Sequence, residues 1–139
     1  MSFTPRTSYG NFGSSQWMNY AVARTGVAMP NCFTYATARI SEIVGHNQSL
    51  DGNTKVAGAG NLWETHAPEF SQSSVAQVGD LAIYKGGYGN YGHVAVVEVV
   101  GVNMAMSQSN YGGNLFDYVE VPKNVGSYYP GTALRLVGF

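Results

Sequence analysis

The sequence predicts an α+β fold, with N-terminal helices packed on a C-terminal antiparallel β-sheet. Two observations carry this reading. Hydrophobic periodicity is helical before about residue 78 and strand-like after it. The second half is also rich in Val, Tyr and Phe, and its apolar runs are separated by Gly- or Asn-rich turns, the pattern of an antiparallel meander.

Each element has a local cause. Residues 1–13 are rich in Gly, Ser, Thr and Pro and read as an irregular lead-in segment. Ser14 or Ser15 can cap a helix carrying Trp17, Tyr20, Ala21 and Arg24, which stops at Gly26. Asn31 is placed to cap a second helix. Phe33, Ala36, Ile40 and Val44 fall on one stripe of it, and Gly45 sits where a left-handed terminator belongs. Residues 46–60 form a polar, glycine-rich loop. Asn61 can cap a short third helix through Leu62 and Trp63, closed by Pro68. Strands are predicted at Leu81–Tyr84, His93–Val100, Asn103–Ser109, Phe116–Val121 and Ala133–Val137. With no repeat and no linker, residues 1–139 read as a single domain.

The bulk composition narrows the function classes. Seven Lys+Arg stand against eight Asp+Glu, for a net charge of -1, and no basic cluster is present. Nucleic acid and anionic membrane surfaces are gripped by such clusters, so neither is an expected partner. The low charged fraction and ten tyrosines suggest surfaces wetted by Tyr, Asn, Ser and Gly. Such surfaces suit sugars and peptides, because a ring offers a flat apolar face and an amide offers directional hydrogen bonds. One cysteine rules out an internal disulfide. The opening MSFTPRTSYGNFGSSQ has no apolar stretch of the secretory kind, and the run Val94–Val100 is broken by Glu98 and too short to span a bilayer. The expectation is a soluble monomer made in the cytoplasm without a signal peptide.

Two residues stand out as chemistry. Cys32 occupies the first turn of the second predicted helix, where unpaired N–H groups and the positive end of the macrodipole favour a thiolate, the nucleophilic form of sulfur. A lone cysteine can equally be a small buried hydrophobe. His93 opens the run HVAVVEVV beside Gly92, at the mouth of a strand where an imidazole can face a cleft. His46 and His66 read as solvated. If the following hairpin turns at Gly101-Val102 through a two-residue type II′ turn, facing residue numbers sum to about 203. His93 then lies opposite Asn110, with Gln108 diagonal on the same face, and a slip of two residues exchanges the amides. In either register an amide oxygen can accept from one imidazole nitrogen and leave the other to take the thiol proton, as in a Cys-His-Asn arrangement.

The segments Asn31-Cys32-Phe33-Thr34-Tyr35-Ala36, Gly79-Asp80-Leu81-Ala82-Ile83-Tyr84, Tyr91-Gly92-His93-Val94-Ala95-Val96-Val97 and Ser107-Gln108-Ser109-Asn110-Tyr111-Gly112-Gly113 resemble, in order, the motif series of CHAP domains. The name stands for cysteine, histidine-dependent amidohydrolase/peptidase. The resemblance implies a papain-like fold and cleavage of amide bonds in bacterial peptidoglycan, as in phage endolysins. It matches Cys32 to the family nucleophile, His93 to the general base and Asn110 to the asparagine of an EQNW-like segment. Gln108 stands where that segment usually has glutamate. Asp80 reads as a turn or strand-opening residue. Trp63, Tyr91 and Tyr111 are the aromatic residues expected to meet substrate. The Cys32 backbone N–H is expected to hold the oxyanion with a second donor, Gln16 or Asn31 being available. Some phage members hold calcium in an Asp-rich loop before the cysteine, but no Asp or Glu precedes Glu42 here, and Asp51-Gly52-Asn53 is only a fragment of such a loop. The histidines and the cysteine lack zinc-ligand spacing, so no metal and no cofactor is expected. A wall-binding module without turnover, or an amidase acting on a small peptide conjugate, are the alternative functions.

Overall fold

The computed structural model describes residues 3–52, 58–73, 75–84, 91–110, 113–122 and 133–136. It is α+β: the described residues form three helices, α1 (Gln16–Thr25), α2 (Cys32–Val44) and α3 (Leu62–Thr65), and six strands in one sheet. The strands are β1 (Phe70–Ser73), β2 (Leu81–Tyr84), β3 (His93–Val100), β4 (Asn103–Gln108), β5 (Asp117–Pro122) and β6 (Ala133–Leu136). Their order is β1-β6-β2-β3-β4-β5, and the pairs described are antiparallel. The expected meander therefore holds from β2 to β5 only. The last strand returns between β1 and β2, a crossing that local turn signals cannot announce.

The two long helices end as their sequences dictate. The Ser15 hydroxyl accepts from the Met18 N–H, and Gly26 closes α1 at φ 75°. The Asn31 side chain accepts from the Thr34 N–H, and Gly45 closes α2 at φ 79°. The third helix differs from expectation. Asn61 ends a 3-10 turn (Ala59–Asn61) and caps nothing with its side chain. Strand β1 escaped the sequence reading because FSQS carries a single large apolar residue, Phe70. Strands β4, β5 and β6 each lie within a residue of prediction, with Val137 outside the described residues.

The sheet separates two apolar layers by strand alternation. Leu81, Ile83, Val94 and Val96 face α1 and α2 and join Tyr35, Ala36, Ile40 and Phe12 in the larger core. Ala82, Ala95, Val97, Met104, Met106 and Val121 form the layer on the other face. Each fully buried Val, Leu or Ile contributes roughly 1.5–3 kcal/mol. Residues 46–52 are less solvent-like than their composition suggests, since Gln48, Leu50 and Asp51 are buried and Asp51 pairs with Arg24 at 2.6 Å.

Glu98, which interrupts the apolar run of β3, is fully buried. Its carboxylate accepts from Arg39 Nε (2.9 Å) and Nη2 (2.7 Å), from the Ser107 hydroxyl (2.7 Å) and from the Arg6 backbone N–H (2.9 Å). The Tyr35 hydroxyl donates to Ser107 at 2.7 Å. Arg39 also donates to Glu42 and to the Thr4 carbonyl, so the lead-in segment is tied to α2 and β3. The β3–β4 register shifts by one at this point. Val100 pairs with Met104 and Val99 with Ala105, whereas Val97 pairs with Met106 and Val96 with Ser107. The expected register thus holds at the inner end, and a bulge at Glu98 reconciles it with the turn.

Removing one partner from a buried ion pair strands the other, at a cost of about 3–5 kcal/mol, while a half-exposed pair is worth about 1 kcal/mol or less. Glu98→Gln should therefore lower the unfolding free energy in urea by several times the loss caused by Glu42→Gln. Equal small losses would show that the network is not what holds α2 to the sheet.

Candidate active site

Cys32 is the first residue of α2, half-buried, directly after the Asn31 cap. The cap is itself held, because the Asn31 backbone N–H donates to the buried Ser109 hydroxyl at 3.1 Å. Backbone N–H groups of Val94, Phe33 and Cys32 reach the sulfur. Val94 follows His93, so the thiol lies at the start of β3. Burial pushes the Cys32 thiol pKa above its ordinary value, and these three N–H groups offset the rise in part.

His93 opens β3 and is 3% exposed, so it sits inside the molecule rather than facing an open cleft as expected. Its Nε2 donates to the Gln108 side-chain oxygen at 2.9 Å. An amide oxygen can only accept, so Nε2 carries hydrogen and Nδ1 is the basic nitrogen. The Tyr84 ring, across the β2–β3 pair, packs 5.7 Å away. Burial pushes the imidazole pKa below its ordinary value, while the Gln108 hydrogen bond and the negative charge of Asp117 act in the opposite direction. With the thiol raised and the imidazole lowered, both groups are uncharged at neutral pH. The helix start alone therefore does not produce the resting thiolate that the sequence suggested.

Gly92 is required for a different reason from the open space expected beside it. It sits at φ 74°, and a Cβ there would lie 2.8 Å from the Gly60 backbone. The Gly60 N–H donates to the Tyr91 carbonyl at 2.9 Å, so the 58–60 segment packs backbone-to-backbone against the approach to His93. Between the two amides left open by the sequence, the structure brings Gln108 to His93. Asn110 turns its amide to Asp117 (2.8 Å) and closes a turn with Gly113 and Asn114 through its backbone.

The remaining candidates separate by exposure. Tyr91, two residues before His93, is 63% exposed. Trp63 is half-buried and packs against the helix-side core, which leaves less of its ring for a ligand. Tyr111 lies outside the described residues. Gln16 is exposed at the start of α1, and the Asn31 oxygen is committed to the α2 cap. Asp80 is buried and accepts from the Gln77 N–H at 2.8 Å, the turn role expected of it. Ser109 was missed because its partner Asn31 is distant in sequence, and Asp117 because only the β4–β5 pairing sets it against Gln108.

A family model for the CHAP domain matches residues 22–110, a span that includes Cys32, His93, Gln108 and Asn110. The chain belongs to the CHAP family. No curated protein matches the sequence. Two solved structures are similar in fold, the crystal structure of Ly7917 (20% identity) and that of Ly7917 with the hydrolyzing product of MDP (21% identity), each with a TM-score of 0.60. The match covers 88% of this chain and 62% of each of those chains. These likenesses agree with a papain-like CHAP fold, in which a helix carrying cysteine abuts a sheet carrying histidine.

A depressed imidazole pKa makes stability depend on pH with a definite sign. Below about pH 6.5 the unfolded chain binds a proton on this residue that the folded chain resists. The stability that His93 contributes is therefore complete above that pH and is lost as pH falls toward the folded-state pKa. Urea unfolding between pH 8 and pH 5 should show this decline, and His93→Gln should flatten it. An identical slope in both proteins would contradict the assigned burial of the imidazole.

Proposed function

We propose that this CHAP domain is a cysteine-dependent peptidoglycan hydrolase that cleaves an amide bond in the stem or cross-bridge peptide. The observation that carries the reading is the convergence of the Cys32 thiol and the His93–Gln108 pair at the start of β3. The fold likeness to Ly7917, a protein determined with the hydrolyzing product of MDP, supports a hydrolytic reading.

In this mechanism neutral His93 takes the Cys32 thiol proton on Nδ1 as the sulfur attacks the amide carbonyl carbon. The new C–S bond creates an oxyanion, held by the Cys32 backbone N–H and a second donor. The C–N bond then breaks, and imidazolium returns the proton to the departing amine. Water attacks the resulting thioester while giving up a proton to His93, the C–S bond breaks, and His93 returns the proton to sulfur as the carboxylic acid product departs. Gln108 accepts from Nε2–H throughout, which leaves Nδ1 as the nitrogen that takes the proton. Because the thiol starts protonated, the transfer accompanies attack and does not precede substrate binding. Tyr91 offers an exposed ring beside the site for the sugar or peptide.

Cys32→Ala and Cys32→Ser should each abolish the fall in turbidity of purified cell walls, by at least about a thousandfold, while keeping wall binding in a pull-down. Thiol alkylation of the wild type should have the same effect. Mass spectrometry of digested walls locates the new amino termini and hence the bond. Full lytic activity in either variant would overturn the proposal. Wall binding without turnover in the wild type would identify a binding module instead.

A further inference from the structure

The reaction proposed above passes through a protonated His93, and Gln108 meets that cation with a neutral amide. A carboxylate in that position would stabilise imidazolium more strongly. The structure holds a carboxylate one strand away. Asp117 opens β5 and is the direct cross-strand partner of Gln108. Directly opposed residues in an antiparallel pair place their Cβ atoms roughly 4.5–5.5 Å apart. The Asp117 side chain is fixed by two amides, Asn110 Nδ2 on Oδ2 at 2.8 Å and Asn114 Nδ2 on Oδ1 at 2.9 Å. Neutral amides hold the carboxylate in place without cancelling its charge.

We propose that Asp117 is a positioning residue for the reaction, whose carboxylate, set across β4–β5 from Gln108 and fixed by Asn110 and Asn114, supplies the negative charge that favours protonated His93. The proposal rests on the hydrolase reading for its consequence in turnover, and on the geometry alone for its effect on the imidazole. The groups that face His93 among the described residues include Tyr84 from β2, Gln108 from β4 and Asp117 beyond it on β5, while the Cys32 thiol meets the backbone N–H of the neighbouring Val94. Tyr84 donates its hydroxyl to the Met106 sulfur. The direction of the Asp117 effect on His93 agrees with this assignment. The two amides also give Asn110 a use: it anchors the carboxylate, which acts on the imidazole through space.

The test is an NMR titration of the His93 ring in the free protein, with wall lysis measured across the same pH range. Asp117→Asn should lower the His93 midpoint by about half a pH unit, the scale of one carboxylate acting several ångströms away in a partly buried site. The acidic limb of lysis should move down by a similar amount, and the rate on its plateau should fall several-fold. Adding Gln108→Glu to Asp117→Asn moves the charge from β5 to β4, and it should bring the midpoint back to or above the wild-type value and recover lysis. If Asp117→Asn does not fold, Asp117→Ser removes the charge while keeping a hydroxyl oxygen for the two amides. An unmoved midpoint in the folded variant overturns the proposal. So does a midpoint restored in the double variant with no recovery of lysis, which would mean that Asp117 only shapes the 110–117 turn. The titration does not involve Cys32, so failure of the hydrolase reading, seen as lysis that survives Cys32→Ala, is told apart from failure of this one.

Discussion

Helix α2 is held to the sheet at two heights, and the position of the thiol follows from both. Near its middle, Arg39 and Tyr35 reach the Glu98–Ser107 pair on β3 and β4. At its start, the Asn31 N–H is held by Ser109, just beyond the end of β4. One attachment would leave a helix able to pivot, whereas two fix both its tilt and its rotation. The first residue of α2 then has little choice but to present its side chain to the start of β3, where Val94 N–H meets the sulfur. Preorganisation of this kind matters because a displacement of about 1 Å in a reacting atom can cost about two orders of magnitude in rate.

Burial sets the charge state of what this geometry brings together. Thiol and imidazole are both removed from water, and the uncharged form of each gains. A preformed ion pair would require a strong compensating charge at the imidazole, and the direct partner is the neutral Gln108. Burial therefore favours the proton on sulfur and the neutral form of the imidazole.

Much of this was legible in the sequence, and most of the exceptions share one cause. Helix caps at Ser15, Gly26, Asn31 and Gly45 are local events, each decided within four residues, and all were readable. Strand identity from β2 to β5 followed from alternation and turn chemistry. Cys32 and His93 could be singled out because each begins an element whose start was visible. Most of what escaped was non-local. The return of β6 between β1 and β2 joins segments more than fifty residues apart. Asp117 becomes meaningful only once the β4–β5 register sets it against Gln108. Glu98 looked like a break in an apolar run, because nothing nearby reveals that Arg39, fifty-nine residues earlier, is its partner.

The bulge at Glu98 also decides whether an amide can meet the imidazole. The register at the turn, with Val100 across from Met104, would if continued inward pair odd residues of β3 with odd residues of β4. His93 would then share its face with Ser107 and Ser109, and Gln108 would project from the opposite side, because a slip of one residue inverts every side chain. The bulge between Val97 and Val99 removes that offset, so that Val97 faces Met106 and Gln108 comes onto the His93 side. The residue at the bulge is the one whose carboxylate is gripped by Arg39. A buried ion pair is a poor source of net stability, since an apolar replacement of equal volume is often as stable or more so. What an apolar side chain could not do is anchor the bulge and the helix with the same group. The pair is better understood as a register device that brings the Gln108 amide to the His93 side of the sheet.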